Sequence, residues 1–96
     1  MLFKNGIVYE GEMEENKRHG KGFYLDPNLG YYSGYFKNDM KEGEGIEVLQ
    51  NKSVYKGNFV NGLRHGHSGL YVDVNYNEYF GEWKLGIMHG KGFLKG

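Results

Sequence analysis

Ninety-six residues with 12 basic and 12 acidic side chains, a formal net charge of zero and no cysteine make one small domain without disulfides or thiol chemistry. The balanced charge creates no overall field toward nucleic acid or an anionic membrane, so no nucleic-acid partner is expected. Seventeen glycines and nine tyrosines against one proline argue against helix, whose interior glycine weakens, and for a repeating architecture.

The chain opens MLFKNGIVYEGEMEE, which lacks the apolar core of a secretory signal. No later run approaches membrane-spanning length, and an intracellular location is the expectation. Over 7–14, Tyr9, Gly11 and Met13 alternate with Glu10, Glu12 and Glu14. This is the period-two pattern of a strand with one solvated acidic face. A partner strand is predicted over 18–25, after a turn at Asn16-Lys17. Strands over 31–37 and 41–48 follow, joined at Asn38-Asp39. Strands over 53–60 and 64–72 are joined at Asn61-Gly62, the strongest hairpin signal because both residues tolerate positive φ. Strands over 77–84 and 88–94, joined at Leu85-Gly86, complete four hairpins. Asn5, Asn28, Asn51 and Asn75 precede the first strand of each.

The hairpins are copies of one unit. Tyr9-Glu10-Gly11, Tyr32-Ser33-Gly34, Tyr55-Lys56-Gly57 and Tyr79-Phe80-Gly81 lie 23, 23 and 24 residues apart, and a large apolar residue follows two positions later at Met13, Phe36, Phe59 and Trp83. A second pair of glycines recurs at Gly20 and Gly22, Gly43 and Gly45, Gly66 and Gly69, and Gly90 and Gly92. In the third unit Ser68 is an insertion between them, which accounts for the longer period. Tyrosine, glycine and aromatic at i, i+2 and i+4 share one strand face, with a gap where the glycine lacks a Cβ. Neighbouring rings can lie over that gap in edge-to-face contact. Bulges at the glycines decide whether the aliphatic stripe Phe23, Leu25, Ile46, Val48, Leu70 and Val72 shares the tyrosine face or lies opposite.

The pentapeptide HGKGF, at 19–23 and again at 89–93, invites a phosphate-loop reading. It lacks the Gly-x-Gly-x-x-Gly of a dinucleotide site and the terminal Ser or Thr of a nucleotide P-loop, so its glycines read as spacers. His19, His65 and His89 recur before the glycine pair, with Glu42 in the second unit. Two strands per unit at about 4.8 Å hold equivalent histidines roughly 10 Å apart. Zinc needs its ligands at about 2.0 Å, so no metal site and no cofactor are expected. No nucleophile–base–acid constellation is present, and the chain is not expected to be an enzyme.

Tyr-x-Gly-x-aromatic, an Asn-Gly turn and His-Gly-x-Gly at a spacing of about 23 residues together resemble the MORN repeat family, in copies over 5–27, 28–50, 51–74 and 75–96 of a single domain spanning 1–96. The resemblance implies an all-β fold, an elongated single-layer antiparallel β-sheet solenoid of four stacked hairpins. It also implies a non-enzymatic protein–protein interaction scaffold in a ciliary, cytoskeletal or membrane-associated assembly. Met13, Glu42 and the insertion at Ser68 depart from the family pattern. On this reading Tyr9, Tyr32, Tyr55, Tyr79, Phe36, Phe59 and Trp83 line an aromatic groove for a helix or extended segment of a partner or of a second copy. Gly11, Gly20, Gly22, Gly34, Gly43, Gly45, Gly57, Gly66, Gly69, Gly81, Gly90 and Gly92 are its spacers. The alternative is peripheral binding of anionic phospholipid through Lys17, Arg18, Lys41 and Arg64, opposed by the nearby Glu14, Glu15, Asp39 and Glu42.

Overall fold

The computed structural model describes residues 4–96. After a short 3-10 turn (Lys4–Gly6), the chain runs through strands β1 (Val8–Glu14), β2 (Lys17–Asp26), β3 (Gly30–Lys37), β4 (Met40–Leu49), β5 (Val54–Val60), β6 (Leu63–Arg64), β7 (Gly66–Val72), β8 (Glu78–Lys84) and β9 (Ile87–Lys95). All strands join one antiparallel sheet in chain order, with the two-residue β6 paired to β5 beside β7. The sheet is a ribbon of 40 × 23 × 16 Å, one layer thick. The chain is thus the stack of hairpins that its periodicity implies.

Each hairpin closes through two residues of positive φ: Glu15 and Asn16, Asn38 and Asp39, Asn61 and Gly62, and Leu85 and Gly86. Such turns match the right-handed twist of the flanking strands. The first turn therefore sits one residue before the expected Asn16-Lys17, because Lys17 is already paired with Glu14. The strand expected over 64–72 is broken at His65 into β6 and β7. Its extra residue is absorbed as a register shift against β8 between Gly66 and Gly69, while the His65 N–H stays tied to the Asn58 carbonyl at 2.9 Å.

Register assigns every side chain to a face, since directly opposed residues of an antiparallel pair point the same way. Tyr9, Tyr24, Tyr32, Glu47, Tyr55, Tyr71, Tyr79 and Leu94 form one continuous cross-strand row. Phe23, Leu25, Ile46, Val48, Leu70 and Val72 flank these positions in sequence, so the aliphatic stripe lies on the opposite face. Beside the tyrosine row, Gly11, Gly22, Gly34, Gly45 and Gly57 stand opposite one another across five strands. The seam continues through Gly69, Gly81 and Gly92.

Leu85 is a turn residue held at φ 51° with its side chain exposed, a left-handed conformation that costs an L-residue about 1–2 kcal/mol. Leu85→Asn, which keeps the turn and removes most of that cost, is expected to stabilise the chain by about 1 kcal/mol, raising the melting temperature by roughly 4–8 °C. Thermal unfolding followed by circular dichroism measures it.

Candidate functional site

The tyrosine face is built on the glycine seam. A Cβ placed on Gly22 would lie 2.4 Å from the Tyr9 hydroxyl, and one on Gly45 or Gly92 would lie 2.4 Å from Cε1 of Tyr32 or Tyr79. Only bare backbone lets the rings lie this low. From there each tyrosine hydroxyl donates a hydrogen bond to the carbonyl three residues ahead: Tyr9 to Glu12 (2.6 Å), Tyr32 to Tyr35 (2.7 Å), Tyr55 to Asn58 and Tyr79 to Glu82 (2.9 Å each). Burial, the largest influence on them, pushes the Tyr9, Tyr32 and Tyr55 hydroxyls above their ordinary pKa and keeps them protonated donors.

The rings form a ladder that crosses from unit to unit. Phe36 meets Tyr32 of its own unit (5.0 Å between centroids) and Tyr9 of the preceding one (5.5 Å). Phe59 does the same with Tyr55 and Tyr32 (5.2 and 5.1 Å), and Trp83 with Tyr79 and Tyr55 (5.5 and 5.1 Å). Interplanar angles of 76–90° make every contact edge-to-face. Trp83 also donates its indole N–H to the Gly69 carbonyl at 3.1 Å. The seven residues expected to line a groove are the buried apolar core of the described chain, none more than 8% exposed. Their surfaces face one another and the seam.

What this face offers to the outside is a lid of charge. Arg18 lies over the rings of Tyr24 (4.7 Å) and Phe36 (5.2 Å), Lys41 over Tyr32 and Phe59 (5.3 and 5.6 Å), and Arg64 over Tyr55, Tyr71 and Trp83 (5.0–5.3 Å). Glu47 bridges two of these cations, with one oxygen 2.6 Å from Lys41 Nζ and the other 2.9 Å from Arg64 Nη2. Burial alone would raise the Glu47 pKa, but the hydrogen bonds and charges of Lys41 and Arg64 outweigh it and hold the carboxylate below its usual range. Arg18 pairs with Asp39 through Nε at 3.1 Å and through its backbone N–H at 2.7 Å. Three of the four cations considered for phospholipid thus already have acidic partners. Tyr24, Glu47 and Tyr71 were not singled out in the sequence, although their spacings of 23 and 24 residues carry the repeat.

The twin HGKGF segments form bulges. Gly20 and Gly90 take positive φ (82° and 63°), while Gly22 and Gly92 belong to the seam. Facing each bulge is the chain's own carboxylate: Lys21 N–H donates to Glu12 Oε1 (3.0 Å) and Lys91 N–H to Glu82 Oε1 (3.1 Å). An internal anion therefore takes up the amide that a phosphate would need. His19 stands 3.4 Å from Glu14 and His67 3.9 Å from Glu82. Among the described residues no group of three or more His, Asp or Glu is placed to hold a metal ion.

The opposite face is open. Val8, Leu25, Tyr31, Val48, Val54 and Val72 run across it as an unbroken apolar row before giving way to Glu78 and Lys95. Beside that row run Phe23, Ser33, Ile46, Lys56, Leu70, Phe80 and Phe93. Tyr31, Tyr35, Ile46, Phe80 and Phe93 are exposed. A shallow groove of about 730 Å³ crosses this face, bordered by Tyr35, Ile46, Lys56, Asn58, Leu70 and Phe80.

The pattern of one family, described as MORN repeat, matches residues 9–31, 32–54, 55–67 and 79–96, most of the chain. Every matched segment begins at a tyrosine of the ladder, and the third ends just before the Ser68 insertion. No curated protein sequence matches the chain.

Two outcomes follow from this geometry. Gly45→Ala drives a methyl into the Tyr32 ring and is expected to destabilise the fold by about 3 kcal/mol, read as a lower urea midpoint. Glu47 has a folded-state pKa below its ordinary 4.5, so its stabilising contribution is full above that value and is lost as pH falls through the depressed one. Urea midpoints should therefore drop on acidification below 4.5, and the drop should be smaller in Glu47→Gln.

Proposed function

The chain belongs to the MORN repeat family, and on that premise we propose that it is a non-enzymatic protein–protein interaction scaffold whose apolar sheet face receives a helix or extended segment of a partner. The family is not one of known enzymes, and its repeats are generally found where proteins meet membranes or other proteins. Membership also supports a place in a ciliary, cytoskeletal or membrane-associated assembly.

The observation that carries the reading is the apolar row running across the ribbon with no second layer over it among the described residues. The extents of the ribbon give this face on the order of 900 Å², close to the ~800 Å² that a standard interface takes from each partner. The ladder supports this surface from behind. A segment laid along the groove meets Ile46, Leu70 and Phe80 at its centre, with Lys56 and Glu44 beside it, an apolar middle with a polar margin. The alternative, peripheral binding of anionic phospholipid through Lys17, Arg18, Lys41 and Arg64, draws on side chains of which three are already paired.

Cross-linking with mass spectrometry in cells expressing the chain tests the proposal, because the exposed Lys56 borders the groove. Partner cross-links at Lys56 are expected, and Ile46→Lys with Phe80→Lys should lower their yield at least about tenfold, the scale of losing one interface anchor. The same partners recovered at the wild-type level by a variant with an unchanged melting curve would overturn the reading. Strong, salt-sensitive flotation with anionic vesicles would favour the lipid alternative.

A further inference from the structure

The two outermost strands differ from the interior of the stack in ways that fit each other. Inside the sheet, each unit presents the outer edge of its second strand to the next unit, as β2 does to β3, β4 to β5 and β7 to β8. Among the described residues no strand pairs with the outer edge of β9 or with that of β1. β9 nevertheless carries large apolar side chains, with Leu94 82% and Phe93 77% exposed. Leu94 occupies the cross-strand position filled by Tyr24 and Tyr71 in earlier units. Tyr79 is the most exposed of the four ladder tyrosines, at 8%. Unlike Tyr32 and Tyr55, it meets the aromatic of its own unit and no ring of a following one.

We propose that a second copy of this chain stacks its β1 edge against the β9 edge of the first, so that copies add head to tail into an open series. Repeating the β2–β3 register at this junction sets Gly90 opposite Met13 of the second copy, Lys91 opposite Glu12, Gly92 opposite Gly11, and Leu94 opposite Tyr9. The glycine seam then runs on unbroken. Met13, 40% exposed, takes the place from which Phe36, Phe59 and Trp83 cover the preceding tyrosine, and its thioether comes against the Tyr79 ring.

The lid changes in step. Arg18, Lys41 and Arg64 each reach over the aromatic of the next unit, and the equivalent residue of the last unit is Met88, which pairs with Trp83 as Arg64 does with Phe59. A cation there would cover no ring, because the next unit begins with Met13; Met88 and Met13 instead make an apolar pair. A backbone tie is available as well. The turn residues Asp39, Gly62 and Gly86 donate their N–H groups to the carbonyls of Arg18, Lys41 and Arg64 (3.0, 2.9 and 2.8 Å), and Asn16 of the second copy stands in the same relation to Met88. Acidic Glu10, Glu12 and Glu14 on β1 facing Lys91 and Lys95 on β9 favour unlike edges over like ones. A head-to-tail contact between unlike edges does not close on itself as a two-fold dimer does. The inference uses strand edges and stands apart from the partner face above.

Two edge-blocking substitutions at exposed positions test it in the full chain: Met13→Asp on β1 and Leu94→Asp on β9. Sedimentation velocity of the wild type over rising concentration should show a growing series of species. Each variant alone should remain a monomer, and an equimolar mixture of the two should form a one-to-one dimer through the single intact pair of edges. Circular dichroism melts establish that both variants fold, and Met88→Asp repeats the β9 block through a different side chain. A wild type that stays monomeric into the millimolar range, or a Met13→Asp chain that still dimerises with itself, overturns the proposal, the second result by showing that like edges pair.

Discussion

A tyrosine ring laid against bare backbone is the contact on which this ribbon depends. A single sheet has no opposing layer to bury its side chains, so the aromatic face must bury itself. It does so because the glycine seam lets four tyrosines lie down and leaves their edges to meet Phe36, Phe59 and Trp83. Six edge-to-face contacts join the seven rings. At about 0.5–1.5 kcal/mol each, they contribute an amount comparable with the roughly 5–15 kcal/mol that separates a folded domain from its unfolded chain. Half of those contacts cross a boundary between units. Stability in such a stack is a property of neighbours, and a hairpin alone would keep only part of it.

The charged lid follows from the same constraint. Rings buried from below and from the sides still have upper surfaces, and Arg18, Lys41 and Arg64 cover these with aliphatic stems and cationic heads. Cations gathered on one face repel, and Glu47 relieves this by bridging two of them at a site where a tyrosine stands in the neighbouring units. The lid seals the tyrosine face and leaves the opposite face as the large apolar surface. The two sides of one strand are therefore unlike, one closed over its own rings and the other left uncovered among the described residues.

The doubled HGKGF shows how a motif can resemble a site while serving the fold. Its first glycine turns the backbone through positive φ, its second belongs to the seam, and the amide between them is held by a carboxylate from the facing strand. Where Tyr35 and Asn58 replace that glutamate in the second and third units, the bulge has no such carboxylate, and the third unit also admits Ser68 and breaks its strand at His65.

The sequence by itself determined the period and the four hairpins, because strand alternation, turn residues of positive φ and glycines that weaken any helix are local properties repeated in phase, while the single layer was what the family resemblance implied. The tyrosine–glycine–aromatic spacing likewise announced rings stacked over gaps. Only the tertiary structure decided which face carries Phe23, Leu25, Ile46, Val48, Leu70 and Val72, since that depends on how many residues each bulge absorbs, and one residue more or less turns a strand over. It alone paired Arg64 with Glu47, 17 residues away, and Arg18 with Asp39, 21 residues away. It also buried the seven rings that the family resemblance had marked as a groove lining. Spacing along a chain fixes which side chains share a face, but the distance between strands and the reach of a long cation fix whether that face stays open.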